Sequence, residues 1–181
     1  MATLGNTNND TNFLDFDAGY ALASVITNNT GSDITISDIT FRIYHLGTCS
    51  FKGVVWESTG SYNVLATGSS VSTIPAQIGT KYWLSSSASY TMLNNTSYLV
   101  GYVSSAVGRS CSTNITYDVY YDNTNSFTTP NTLAKILTYD NRQLCVYVTY
   151  GVAPSGPAIT VEGLTPASAE SVLWASITAI K

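Results

Sequence analysis

From about residue 20 to residue 150, apolar and polar residues alternate with a period of two, in short runs broken by Ser, Asn and Gly. Successive side chains of a strand point to opposite faces, so this period fits strands with one buried face. The runs fall at residues 20–26, 34–43, 51–56, 63–66, 71–74, 81–84, 97–103, 115–121 and 144–150. Within 34–43 the apolar parity changes at Asp38, which predicts a bulge or short turn there. Pro75 follows the 71–74 run and predicts a strand end or a sheet edge. Many short β-branched and aromatic strands joined by tight turns specify an all-β chain, an antiparallel β-sandwich of jelly-roll-like type.

Composition narrows what such a sandwich does. Only 10% of the 181 residues are charged, 44% are hydrophobic, and roughly a third are Ser, Thr or Asn. The net charge is −4, with 7 Lys and Arg, so a nucleic-acid partner is not expected, because neutralising phosphates takes several cations. No basic amphipathic stretch predicts docking on a membrane, and no apolar run has the length of a membrane span. Disordered chains are usually charged and poor in aromatics, unlike this one with its 13 Tyr. The first residues, Met1 to Asn6, show no basic and apolar export signal. The expectation is a polar, charge-poor exterior made in a cytosol and used outside it.

The composition breaks after residue 151. Residues 152–157 read as a Pro/Gly linker between a sandwich (1–151) and a C-terminal segment (158–181). In that segment Thr165 and Pro166 are an N-cap and first helical residue, with a short helix over 167–173. Strands at 159–161 and 177–180 flank it, giving a strand-helix-strand appendage. So few residues cannot bury a core alone. The segment must then dock on its own sandwich, on a copy of the chain or on another protein. The tethering linker favours the last two, with the apolar Val161, Leu164, Val172, Leu173, Trp174, Ile177 and Ile180 attaching the chain to a partner or to copies of itself, as a dimer or trimer.

Three stretches carry a family resemblance. Phe51-Lys52-Gly53-Val54-Val55-Trp56-Glu57-Ser58 with Val64-Leu65-Ala66-Thr67, then residues 90–102, then residues 138–150 with their Arg142 to Tyr150 run, occur in order. Together they resemble a β-sandwich module, carbohydrate-binding-like, of phage virion and bacterial surface proteins. In this chain Asn95-Thr96-Ser97 replaces that module's usual Gly before Tyr98, and Cys145 replaces a small polar residue. Residues 161–172 resemble the attachment segments that end many phage virion proteins. The resemblance implies a virion structural protein without enzymatic activity: a head fibre, decoration or tail surface protein made in the host cytoplasm. It implies other virion proteins as partners and host-surface glycan as a contact. The alternative is an extracellular bacterial lectin or carbohydrate-binding module.

The residues that bear chemistry are few. His45 is the sole histidine, at a strand end, and no GxSxG elbow accompanies it, so no catalytic residue is assigned. Asp15, Asp17, Asp118, Asp122 and Asp140 are the acids that loops at one sandwich end would bring to Ca²⁺, the one cofactor considered. Strand parity puts Val119, Tyr117 and Tyr121 inside and Asp118, Tyr120 and Asp122 outside. An aromatic ring beside carboxylates suits a sugar, which pairs apolar C–H faces with hydroxyls, and equally suits a protein interface. Those three form the expected contact patch. Trp56 and Trp83 are expected in the core. Cys49 and Cys111 lie in loop-like sequence and could approach each other, and Cys145 reads as a buried small hydrophobe.

Overall fold

The computed structural model describes residues 1–8, 12–44, 47–113, 119–133, 137–139 and 142–151. The expected linker, the C-terminal segment and all seven of its attachment residues lie outside them, as do His45, Asp118 and Asp140. Thirteen strands are described: β1 (Ala2–Gly5), β2 (Asn12–Phe16), β3 (Ala21–Asn28), β4 (Ile34–Tyr44), β5 (Ser50–Glu57), β6 (Val64–Ser72), β7 (Lys81–Met92), β8 (Thr96–Ser104), β9 (Gly108–Thr113), β10 (Val119–Asp122), β11 (Leu137–Tyr139), β12 (Gln143–Leu144) and β13 (Val146–Tyr150). Among the described residues the only helical piece is a 3₁₀ turn, Pro75–Gln77, at the proline that was expected to end a strand.

The strands form two antiparallel sheets. The first holds β1, β13, β4, β9 and β12, with β2 on β9 and β7 on β4; the second runs β11-β10-β3-β8-β5-β6. Their pairing is nested about the β5–β6 hairpin. β4 pairs β7, β3 pairs β8 and β2 pairs β9, each inside the next, and successive pairs alternate between the sheets. A long ribbon folded back on itself therefore supplies both layers. β13 adds to the free side of β4, and β1 closes that edge, with Ala2 opposite Tyr150.

Alternation fills the space between the layers. Ile39, Phe41 and Ile43 of β4 meet Phe51 and Val55 of β5 and Val100 and Tyr102 of β8, all fully buried. The register of β4 shifts between Ile36 and Asp38, on both its β7 and β13 sides. This is the bulge expected from the parity change: it lets Ile34 and Ile36 face the same core as Ile39 despite their opposite numbering. At the far side of β4, Cys145 occupies a three-strand junction. Its N–H donates to the Cys111 carbonyl of β9, and its own carbonyl accepts from the Arg42 N–H of β4. The extended chain thus turns from β9 (through β12) onto β4 (through β13).

The second sheet is buried on both faces. Its outward residues Ala21, Ala23, Val54, Trp56, Leu99 and Val103 form a second apolar cluster with Leu133. The segment after β10 straps across them. Trp56 Nε1 donates to the Asn131 carbonyl at 3.0 Å, Leu133 N donates to the Tyr62 carbonyl, and Phe127 packs on the cluster. Trp56 is in a core as expected, but in this outer one rather than between the sheets. Gly101 lies in the middle of this sheet, where an added Cβ would sit 1.8 Å from the Leu22 carbonyl oxygen, so the β3–β8 approach admits only glycine.

The two sheets meet along β6 and β7. Ser86 of β7 accepts from the Gly53 N–H at 3.0 Å and donates to the Ser69 carbonyl at 2.6 Å, and its hydroxyl fills the space over Gly68. Small side chains are required where the edges approach this closely.

Candidate functional site

The outer face of the first sheet gathers side chains that the sequence holds far apart. On β4, the residues between the buried Ile39, Phe41 and Ile43 point outward: Thr40, Arg42 and Tyr44. Register sets Trp83 of β7 beside Arg42, and Lys81 beside Tyr44. On the other side of Tyr44 stands Arg109 of β9, and beyond it Asp15 of β2. Phe13, two residues before Asp15, shares that face. Its ring meets Tyr44 edge-on with centroids 5.2 Å apart. Lys81 Nζ lies 4.7 Å and Arg109 Cζ 5.8 Å from the Phe13 centroid, both within cation–π range. Arg109 Nε also binds Asp15 Oδ1 at 2.6 Å, and Arg142 donates to the Phe13 carbonyl at 3.1 Å. The row continues with Arg42 over Trp83, at 5.9 Å, and Trp83 against Tyr147, at 5.2 Å. Trp83 is thus half-buried on the sheet exterior, correcting its expected place in the core.

Four of the seven Lys and Arg residues stand on this one face, with four aromatic rings between them. The sequence held a signal for it. Arg42 and Tyr44, Lys81 and Trp83, and Phe13 and Asp15 are each two residues apart, and a period of two puts each pair on one face. Pairing between the strands, which no single run specifies, was needed to bring the three pairs together.

The expected patch on β10 takes a different form. Val119 is fully buried as expected, and Tyr121 packs on the inter-sheet core, stacked 6.2 Å from Tyr20. Tyr120 does point to the other face, but that face is the covered one, and its ring packs on the second cluster. Asp122 is 1% exposed instead of outward-facing. Its Oδ1 accepts from the Thr124 N–H at 2.8 Å and the Thr124 hydroxyl at 2.6 Å. This is an Asx turn that starts the strap. Parity separates the two faces of a strand, but it does not report a later segment laid over one of them.

Of the acids considered for Ca²⁺, Asp118 and Asp140 lie outside the described residues; Asp15 is engaged by Arg109 and Asp122 by Thr124, and among the described residues no group of three or more His, Cys, Asp or Glu comes together. The three cysteines are buried thiols, with no disulfide between Cys49 and Cys111. Burial raises the Cys49 pKa, against smaller opposing effects of the Ala106 carbonyl and of Ser105. It is therefore protonated and unreactive at neutral pH.

Shallow polar clefts lie at the loop ends. One, of about 410 Å³, is bounded by Thr30, Ser32, Asp33, Thr35 and Tyr150. Another of similar size lies between Glu57, Ser58, Asn63, Thr96 and Tyr98. In the second, Glu57 Oε2 is held by the Asn63 backbone N–H and side-chain amide, at 3.1 and 2.9 Å. No family model matches the sequence, and no curated protein or solved structure matches it significantly.

Proposed function

We propose that this chain is a non-enzymatic display protein of a phage or viral particle. It is a jelly-roll-like sandwich held on a head, fibre or tail through residues 158–181, and its outer surface meets host glycan. The nested β2·β9, β3·β8, β4·β7 and β5·β6 pairing supports the jelly roll, which is a folded antiparallel ribbon of this kind. The observation that carries the functional reading is the hydroxyl cover of the strands. Ser85, Ser87, Ser89 and Thr91 of β7 are exposed in alternation, and Ser69, Ser70 and Ser72 of the edge strand β6 are exposed as well. Cross-strand hydroxyl pairs join Thr40 to Ser85 and Ser50 to Ser72 at 2.8 Å, and Thr35 to Thr91 at 3.2 Å. Such a surface is solvated without charge, so salt and pH alter it little. That property suits a protein that leaves the cell with a particle.

The bacterial lectin reading draws on one specific observation, the aromatic and cationic face around Phe13, since rings and cations also suit a free carbohydrate-binding module. The two readings part on location. Density-gradient fractions from a lysed, infected culture, probed with antibody to this chain, are expected to show it banding with intact particles. Recovery only as a soluble, particle-free protein would replace the virion reading with the lectin one.

A further inference from the structure

Lys81, Tyr44, Arg109 and Asp15 stand side by side on four neighbouring strands, because the register pairs Tyr44 with Lys81 on one side and Arg109 on the other, and Arg109 with Asp15. Phe13 lies against this row, and Arg142 reaches its carbonyl from beyond it. Two cations thus lie over one ring, and a third binds the backbone carbonyl of the same residue. Among the described residues Asp15 is the one carboxylate paired with any of them, which leaves a surplus of two positive charges in a chain whose net charge is −4. These groups are not sealed in the core: Phe13, Tyr44 and Lys81 are half-buried, and the side chains of Arg109 and Asp15 are 42% and 73% exposed. Water reaches the ring and its cations together.

From this juxtaposition we infer that the outer face around Phe13 binds a carboxylate-bearing saccharide, a short run of uronate or sialate units. The inference rests on the reading of the sandwich as a glycan-contacting surface and names its ligand class. The rings of Phe13 and Tyr44 offer flat apolar area to the C–H faces of a sugar. Lys81 and Arg109 flank them at the strand spacing, two strands apart and hence roughly 10 Å between backbones. That separation suits a carboxylate on one sugar or on its neighbour. A nucleic acid needs a longer track of cations, whereas beyond this face Lys52 is the one further Lys or Arg among the described residues and the net charge is negative, so a long polyanion gains little beyond the patch. An acidic peptide finds the charges but has no flat faces to lay on the rings.

The full chain titrated with trigalacturonate, at low and at physiological salt, tests this against three companions: the neutral galactose trimer, pentaglutamate and a short oligothymidylate. Trigalacturonate is expected to bind most tightly and to weaken as salt is raised. Lys81→Gln is expected to weaken it about tenfold, with an unchanged melting temperature, and Lys81→Arg to restore it. Lys52→Gln, on the strapped face of the other sheet, is expected to leave it unaltered. If the neutral trimer binds as well as the uronate, the acidic-ligand assignment falls while glycan contact stands. If pentaglutamate or the oligonucleotide binds best, the site is real but its ligand class is overturned. If nothing binds, both the site and the glycan contact are overturned, and the particle assignment stands on its own gradient experiment.

Discussion

Tyr102 shows how a single residue sets a condition on the fold. Its ring lies at the centre of an aromatic knot, 4.7 Å from Phe41, 5.3 Å from Phe51 and 5.9 Å from Phe16. Its hydroxyl is buried with no well-formed hydrogen bond among the described residues. Burial holds the phenol well above its ordinary ionisation range, only partly offset by the Ser110 hydroxyl, and burial raises the Cys49 thiol in the same sense. Each group becomes charged by losing a proton, and burial makes that loss harder in the folded chain than in the unfolded one. Below about pH 8 both states keep these protons and stability is intact. Above it the unfolded chain releases them first, so stability falls as pH rises. Unfolding free energies from denaturant titrations between about pH 8 and 11 are expected to fall, by up to about 1.4 kcal/mol per pH unit from Tyr102 alone above pH 10. Tyr102→Phe keeps the packing and removes the orphaned hydroxyl. It is expected to flatten that alkaline limb and to leave the midpoint at pH 7 equal or higher. An alkaline limb that stays as steep in the Phe variant would show that the tyrosine is not its source.

At the scale of elements, the strap of residues 123–133 departs most from what alternation shows. It explains why the second sheet carries apolar side chains outward and why Asp122 turns inward to start a turn. Replacing residues 124–132 with a short Gly/Ser connector is expected to expose Trp56, Val54 and Leu99. The measurement is Trp fluorescence, red-shifted and more easily quenched, together with binding of a hydrophobic dye. An unchanged spectrum would mean that something other than the strap covers the cluster. Much of the element pattern was legible: β3, β5, β8 and β13 overlap their apolar runs, and the β4 bulge was visible in the change of parity at Asp38. What was not legible has physical causes. β7 extends eight residues beyond the 81–84 run, through Ser85 to Met92, because its inward Ser86 and Ala88 must be small where β6 presses close. β9 reads Gly-Arg-Ser-Cys-Ser-Thr, with Ser110 and Ser112 buried where hydrophobes are expected. The 63–66 and 71–74 runs prove to be one strand, β6, since the polar residues between them sit on a sheet edge and need no apolar partner. The Phe13 site divided in the same way: each i, i+2 pair could be read along its own strand, but their meeting depended on nested pairings across long stretches of sequence.

For the molecule as a whole, that nesting builds both layers from one folded ribbon. Among the described residues, both apolar clusters are formed by residues between Leu14 and Val148, with flanking contacts from Leu4 to Tyr150. If residues 158–181 are the proposed attachment segment, a chain ending at residue 151 is expected to fold with an unchanged melting temperature and to self-associate less than the full chain, as read by light scattering. A truncated chain that melts early would assign residues 152–181 to the core instead. Strands distant in sequence must also find one another before any of the core forms, so refolding is expected to be slow for a domain of this size. The antiparallel clasp between Ala2 and Tyr150 has a directional consequence. It places residue 151 beside the Ile36 end of β4, whereas Tyr44, with Lys81 and Arg109 on either side, ends the same strand eight residues further on. At the rise of a strand that is roughly 26 Å. Residue 151 thus lies at one pole of the sandwich and the rings flanked by cations at the other, so under the proposed attachment through residues 158–181 the chain leaves the sandwich at the pole opposite the glycan-contacting face.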